Sequence, residues 1–328
     1  MKVVVLTHVT SEGSKDYDFV VGQVARALRK GGHKATVFSG HKDLKKLITG
    51  LTRRKPDLVF NLMETFGENE LGAVGIVGVF DLLKLPYTGG GPGEIYIQED
   101  KALAKKLLAY EKLLYPNFAV FTKDANLETG GQLRLPLFIK PLRMDASIGI
   151  DSKSLVQTVD DMMKRVKLIH EKVNDCALAE EYIEGREFYV GVLGNQNPTV
   201  FPPIEMDFSG LPNGAPRILD AKAKWDERSR RYKGTKAIVP QLPDELRGRL
   251  QKVALEAYRA LRVRDYGRVD LRLTDSGEIY VIEVNASCYL EKSAEFAAGA
   301  AEAGMDYVTL INRIVELALE RANIAVAV

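Results

Sequence analysis

The 328 residues contain only two cysteines and four histidines. Cys176 and Cys288 lie far apart in no metal-like spacing, so the chain reads as a cytosolic protein with free thiols. His8, His33, His41 and His170 form no motif, and a zinc site is not expected. An excess of one charge is lacking as well. The 46 Lys and Arg against 44 Asp and Glu leave +2, which gives no reason to expect a nucleic-acid partner or a membrane surface. The longest apolar run, Leu71 to Leu85, is broken by Asp81 and Lys84 and is too short to cross a bilayer. Met1-Lys2 leads straight into VVVLTHV, too short for a secretory leader, and reads as a buried first strand. There is no repeat and no low-complexity segment.

What the chain does have is concentrated near its C-terminal end, in Arg268-Val269-Asp270 and Glu283-Val284-Asn285. The stretch between them alternates polar and apolar at the period of a strand and is interrupted at Asp275-Ser276-Gly277. A two-residue turn at Ser276-Gly277 makes residues whose numbers sum to about 553 face each other. Asp270 then opposes Glu283, and Arg268 opposes Asn285, all on one face. Val269, Leu271, Ile282 and Val284 point the other way, into a core. Two carboxylates and an amide oxygen on a rigid surface suit a hard cation such as Mg2+. An adjacent arginine suits a phosphate or a developing oxyanion. A solvated face with cross-strand ion pairs accounts for the pattern equally well. Asn and Asp are poor strand residues, which leans the balance toward function.

Length predicts two or three domains. Residues 1–99 alternate strand and helix: KVVVLTHV, a helix from Asp18 to Lys30 stopped by Gly31-Gly32, KATVFSG, DLVFNLM, a helix from Leu71 to Leu83, and LPYTGGGPG running into a glycine-rich loop. This βαβ rhythm implies a parallel sheet covered by helices. Residues 100–190 open with a lysine-rich helix from Asp100 to Tyr115 and continue as a small α+β unit: FAVF, PLFIKP, a helix from Ser154 to Lys172, ALAEEYI and EFYVGVLG. Residues 191–328 hold a strand TVFPPIEMDF, a basic loop from Ala221 to Lys236, a helix from Pro243 to Leu261, the hairpin, and a last helix from Asp306 to Arg321.

Gly89-Gly90-Gly91-Pro92-Gly93 is compatible with a phosphate cradle, but it lacks the GK[ST] ending of a P-loop and is more often a plain turn. Seven cations in the sixteen residues from Ala221 to Lys236 fit a mobile flap over a triphosphate at least as well as a solvated loop. Lys140 ends an apolar strand, where burial is costly without an anionic partner. Glu180-Glu181-Tyr182-Ile183 ends another, and its acids either take donors from a base and a sugar or begin an exposed turn.

These segments together resemble the ATP-grasp superfamily and, within it, the D-alanine–D-alanine ligase family. The motifs run in family order over nearly the whole chain: LPYTGGGP, Glu99-Asp100-Lys101, PLFIKP, Asp145-Ala146-Ser147-Ile148-Gly149, AEEYIEGREF, PPIEM, AKAKW, YRALRVRDYGRVD and IEVN. The resemblance implies a three-part fold, α/β and then α+β: an N-terminal βαβ domain, a small central subdomain, and a C-terminal antiparallel sheet bearing the hairpin. It implies that Lys101 and Lys140 bind the α- and β-phosphates of ATP and that the Ser147 loop folds over them. Glu180 would accept from the adenine amino group, the main chain near Tyr182 and Ile183 would complete adenine recognition, and Glu181 is a further ATP-binding candidate. Glu187 would hold the ribose and Lys224 the γ-phosphate. Asp270, Glu283 and Asn285 would hold two Mg2+ (or Mn2+) ions, and Arg268 would stabilise an oxyanion.

The amino-acid half departs from the family. The early S-x-E-x-x-V-S survives faintly as Ser11-Glu12-Gly13-Ser14, leaving Glu12 as its candidate. The usual histidine near Asn61 to Glu70 is absent from NLMETFGENE. Ala146 replaces a serine, and Trp225 replaces the tyrosine or phenylalanine after the flap lysine. Where the family has N-T-x-P-G-M-T, this chain has Asn285-Ala286-Ser287-Cys288-Tyr289-Leu290-Glu291-Lys292, so Tyr289, Glu291 and Lys292 are candidate substrate contacts. The expected function is an ATP-dependent carboxylate–amine ligase acting on an amino acid or small peptide, cytoplasmic, without nucleic acid or membrane, and compatible with a homodimer. A true D-alanine–D-alanine ligase and an inactive nucleotide-binding regulator remain alternatives.

Overall fold

The structure is a computed structural model. It describes all residues except Lys15, Glu68, Glu70, Ala125, Asp145, Ala146, Ala327 and Val328, and except the side chains of Trp225 and residues 324–326. Among the described residues the strands form three sheets.

The first sheet has the order β2-β1-β3, from β1 (Lys2–His8), β2 (Lys34–Gly40) and β3 (Leu58–Leu62), all parallel. Its helices are α1 (Phe19–Lys30), α2 (Leu44–Arg54) and α3 (Gly72–Leu82). Val3 and Val5 pack with Val20, Val24 and Leu28 of α1. Val4 and Leu6 pack instead with Leu47 and Leu51 of α2 and Ile76 and Phe80 of α3. A strand buried on both faces has no place for polar alternation, which is why VVVL is continuous. Asp18 caps α1, accepting from Val20 N at 2.8 Å. The LPYTGGGPG segment contributes a single bridge, Tyr87 to Val59, rather than a strand. Its Pro92 then starts a helix that the sequence reading did not place, α4 (Pro92–Glu99), followed by α5 (Lys101–Tyr110).

The second sheet is antiparallel, in the order β5-β4-β8-β6-β7. It comprises β4 (Phe118–Phe121), β5 (Leu127–Gly130), β6 (Leu137–Pro141), β7 (Leu155–Val156) and β8 (Ala177–Glu181), with α6 (Val159–Leu168) on one face. The helix expected from Ser154 begins at Val159 instead, where Thr158 caps it and accepts from Asp161 N at 3.1 Å.

The third sheet runs β12-β11-β9-β13-β14, with β10 beside β9. Its strands are β9 (Arg186–Leu193), β10 (Thr199–Val200), β11 (Ile204–Asp207), β12 (Lys236–Ile238), β13 (Tyr266–Leu273) and β14 (Ile279–Ala286). The single strand expected over TVFPPIEMDF is two strands, β10 and β11, separated at Pro202-Pro203. Prolines cannot donate to a ladder. The basic segment is partly helical, with α7 (Ala221–Trp225) and α8 (Arg230–Lys233). Helices α9 (Asp244–Ala260), α10 (Glu295–Glu302) and α11 (Tyr307–Val326) complete the chain. A boundary at residue 190 would cut β9, which pairs with β13 along its whole length. The second sheet passes into the third through residues 182–185.

The hairpin register is as expected where it matters: Asp270 opposes Glu283 and Arg268 opposes Asn285. Its turn is not. Thr274 pairs with Glu278 around a three-residue loop, Asp275-Ser276-Gly277, with Gly277 at φ +85°. Leu271 therefore pairs with Val281, and a bulge between Asp270 and Leu271 restores the register. Ile282 is the extra residue, and it leaves the core. Val281 is fully buried there, while Ile282 lines a cleft.

Candidate active site

That cleft lies between the second and third sheets and, open mouth included, holds about 990 Å³. Phe138 and Lys140 of β6 and Glu180 of β8 form one wall. Glu187 and Tyr189 of β9, Arg268, Asp270 and Arg272 of β13, and Ile282, Glu283 and Asn285 of β14 form the other. Lys101, Glu181, Tyr182, Ile183, Ser147 and Lys224 also line it, so every residue the resemblance assigned to ATP and metal converges on one space.

The charges are arranged in interlocking pairs. Lys105 and Lys140 grip the two oxygens of buried Glu180 at 2.7 and 3.0 Å. Burial alone would raise the Glu180 pKa, but the two lysines carry it below the ordinary glutamate value. Lys105 was not singled out from sequence. It lies four residues after Lys101 on α5, hence on the same helical face, and the abundance of lysines there hid it.

Arg268 holds Asp270 in a fork, Nε to Oδ1 at 2.7 Å and Nη2 to Oδ2 at 2.9 Å, and lies 4.9 Å from the centre of the Tyr189 ring. Asn285 Nδ2 also donates to Asp270 Oδ2 at 3.2 Å. Burial pushes Asp270 up to about 6, with the Glu283 charge adding to the rise and Arg268 opposing it. Glu283 moves the other way. Burial raises it, but Lys101, Lys140, Lys224 and Lys105 together bring it down to about 2. Lys101 is 3.7 Å from Glu283 and donates to Met144 O at 3.0 Å. Among the described residues no three His, Cys, Asp or Glu side chains gather closely enough to hold a metal by themselves. A divalent cation between Asp270 and Glu283 would need oxygens from a bound phosphate or water.

Glu187 is already partnered. Tyr189 OH donates to Oε1 at 2.5 Å, and Arg272 donates to Oε2. Ser147 adopts φ +61° and donates from Oγ to Leu219 O at 3.0 Å, joining the loop over the cleft to the segment before the flap. Buried Arg165 braces that loop through Gly149 O at 2.5 Å and Ser154 Oγ at 3.0 Å. The glycine-rich loop offers no phosphate cradle. Gly89 N donates to Asp265 at 2.9 Å and Gly90 N to Ser287 Oγ at 3.0 Å, so these amides join the loop to the third sheet.

Of the substrate candidates, Glu12, Tyr289, Glu291 and Lys292 do not line this cleft. Glu12 is exposed and paired with Lys46. Tyr289 OH donates to both oxygens of Asp18, at 2.9 and 3.0 Å. Glu291 accepts from Gln23 Nε2 at 3.0 Å and Lys292 N donates to Gln23 Oε1 at 2.9 Å, which clasps this segment to α1. Trp225 ends α7, but its side chain and residue Ala146 lie outside the described residues.

Residues 103–316 match the family model for the D-ala D-ala ligase C-terminus. The chain is 30% identical over 306 residues to a D-alanine–D-alanine ligase of Desulforudis audaxviator, covering 91% of this chain and 92% of that one. It is 31% identical over 310 residues to the uncharacterised protein y4sG of Sinorhizobium fredii, covering 92% and 88%. In fold it resembles the D-alanine–D-alanine ligase of Bacillus anthracis complexed with ATP, with a TM-score of 0.75 at 22% identity over 98% of this chain and 99% of that one. The VanG D-Ala:D-Ser ligase of Enterococcus faecalis gives a TM-score of 0.73 at 22% identity over 97% and 99%. The family match and these relatives make the chain an ATP-grasp enzyme, an ATP-dependent ligase. Within that class the chain belongs to the D-alanine–D-alanine ligase-like family.

Proposed function

We propose that this enzyme joins a carboxylate to an amine through an acylphosphate, with an amino acid or small peptide as acceptor, and that D-alanine is not its preferred acceptor. The observation carrying the ligase chemistry is the cross-strand pair Asp270–Glu283 facing Lys101, Lys140 and Lys224 in one cleft. In this reading the lysines take the ATP phosphates, Glu180, Glu181, Tyr182 and Ile183 take adenine, and Glu187 takes ribose. The hard oxygens of Asp270, Glu283 and Asn285 fit Mg2+, which when bound with nucleotide supplies charge neutralisation at the transferring phosphoryl group.

A substrate carboxylate oxygen attacks the γ-phosphorus and ADP leaves. The amine then attacks the acyl carbon and phosphate departs. In this reading Arg268, which forks to Asp270 in the cleft wall, stabilises the tetrahedral oxyanion. The Ser147–Leu219 hydrogen bond joins two segments beside the cleft, and in this reading closure of the flap over bound nucleotide keeps water from the acylphosphate. The acceptor preference rests on the sequence from Cys288 to Lys292, where Tyr289 bonds to Asp18 rather than leaving a small, donor-rich wall for a carboxylate. No helix among the described residues is long and apolar enough to cross a membrane.

The test is phosphate release from the purified protein with ATP, Mg2+ and a panel of L- and D-amino acids, with products identified by mass. Amine-dependent ADP release supports a ligase, and its absence across the panel favours a nucleotide-binding regulator. Dominance of D-alanyl-D-alanine at equal substrate concentrations would return the protein to the D-alanine–D-alanine ligases proper.

A further inference from the structure

Arg272 is the most heavily bonded side chain of the cleft wall, and nothing in the chemistry above uses it. It is buried, and each of its five N–H groups has a partner. Nε and Nη2 donate to Glu187 Oε2 at 3.0 and 2.5 Å. Nη1 donates to Tyr182 OH at 3.2 Å and to Ile183 O at 3.1 Å. The second N–H of Nη2 goes to Arg217 O at 2.5 Å. Tyr182 OH donates to the same Arg217 carbonyl at 3.2 Å, and the guanidinium lies 5.2 Å from the centre of the Tyr182 ring.

These partners belong to three different parts of the molecule. Glu187 is on β9, directly across from Arg272 in the ladder. Tyr182 and Ile183 lie in the four-residue passage between the second and third sheets. Arg217 opens the segment that leads to the flap, where Leu219 meets the Ser147 loop and Asp220 caps α7, accepting from Ala223 N at 2.9 Å. Asp220 is also paired with Arg231 at 2.8 Å, which ties the start of the flap to α8. A single guanidinium thus joins the passage to the root of the flap that carries Lys224.

We propose that Arg272 is the positioning residue that couples recognition of the nucleotide base on residues 182–183 to closure of the basic flap. The inference rests on the nucleotide reading of the cleft. A base seated against Tyr182 and Ile183 fixes their carbonyl and hydroxyl. Arg272 carries that constraint to Arg217 O, and Lys224 is held over the phosphates. A phosphate chain without a base gathers the flap cations but leaves this link unused.

Limited trypsin digestion of the full chain tests it, with cuts between residues 221 and 236 identified by mass. Digestion is compared without ligand, with tripolyphosphate and Mg2+, and with a non-hydrolysable ATP analogue and Mg2+, both at saturation. In the wild type the analogue should slow cutting about tenfold more than tripolyphosphate does, within the usual range of coupling between sites. In Arg272→Met the two ligands should protect equally, while a merely structural loss would lower both and preserve their ratio. If the analogue gives the wild type no protection, the nucleotide reading fails. If the analogue protects the wild type but no better than tripolyphosphate does, or if Arg272→Met keeps the wild-type contrast, this inference alone is overturned. Should Arg272→Met not fold, Tyr182→Phe decides, since it deletes one hydroxyl of the link. A reduced contrast supports the coupling, and an unchanged one overturns it.

Discussion

Asp270 and Glu283 face each other in register across the hairpin, yet their surroundings drive their protonation apart. Asp270 rises to about 6 because burial outweighs its arginine, whereas four lysines bring Glu283 down to about 2. Two acids of a matched pair therefore have different partners to lose.

That difference predicts different costs of neutralisation. Asp270→Asn and Glu283→Gln should each lower turnover by at least ~10²-fold, as expected for loss of an electrostatic catalytic element. Glu283→Gln should also lower unfolding free energy by about 3 kcal/mol at neutral pH, because the lysines that hold its carboxylate well below the ordinary glutamate value would face a neutral amide. Asp270→Asn should be milder, since burial already disfavours its charge and Arg268 retains Glu295 at 3.4 Å. Phosphate release and urea denaturation read the two effects separately, and normal turnover in either variant would remove these residues from the chemistry.

Lys140→Ala should weaken binding of a non-hydrolysable ATP analogue more than Glu187→Ala does. Lys140 presents a cation beside the cleft, while both Glu187 oxygens already have protein partners. Lys105→Met should act mainly on the fold, lowering stability by about 3 kcal/mol through half-emptying the Glu180 clamp. Titration calorimetry and thermal melts rank the three, and a reversed order of Lys140 and Glu187 would contradict the phosphate assignment.

Asp265→Ala should be among the most destabilising substitutions in the chain. Its fully buried carboxylate accepts from Gly89 N at 2.9 Å, Asn195 Nδ2 at 3.2 Å, and Arg321 Nε and Nη2 at 3.1 and 2.9 Å. Removing it strands donors from two ends of the chain, at a cost of about 3 kcal/mol or more. Arg321→Ala, at a partly exposed site, should cost less. Denaturant midpoints of the two variants settle the order.

The two thiols should differ sharply in reactivity. Burial pushes Cys288 up to about 12, with Arg268 countering only in part, so it stays a thiol at neutral pH. Cys176 is half-buried. Iodoacetamide at pH 8 should modify one thiol per native chain, at Cys176, and both after denaturation. Equal native labelling would show that the Cys288 pocket opens.

Much of this was legible in the sequence because local rules and tertiary packing agreed. The VVVL run, the capped α1 and the facing of Asp270 and Glu283 all follow from periodicity. The turn was not legible, for a reason of parity. Twelve residues separate Asp270 from Glu283, and a two-residue turn with perfect pairing uses the same number as a three-residue loop with one bulge. Periodicity alone cannot choose between them, and it puts Ile282 on the core face, whereas the bulge turns it to the cleft. The Lys105–Glu180–Lys140 clamp and the five bonds of Arg272 join residues remote in sequence, and only the fold brings them together. The opposite holds for Gly89 to Gly91, whose composition invites a phosphate and whose amides are occupied by Asp265, Ser287 and Glu94 in turn.

The bulge at Ile282 has a consequence for redesign. Strict alternation sends consecutive residues to opposite faces, so a plain strand could give the cleft either an apolar floor or a carboxylate at neighbouring positions, never both. The irregularity delivers both from one strand, Ile282 and Glu283 side by side. Regularising the hairpin by deleting Ile282 would keep Asp270 facing the glutamate and improve the ladder. It would also leave the cleft without its floor and Lys105 without the Ile282 carbonyl that its ammonium reaches at 3.3 Å. In this enzyme the better sheet would be the poorer site.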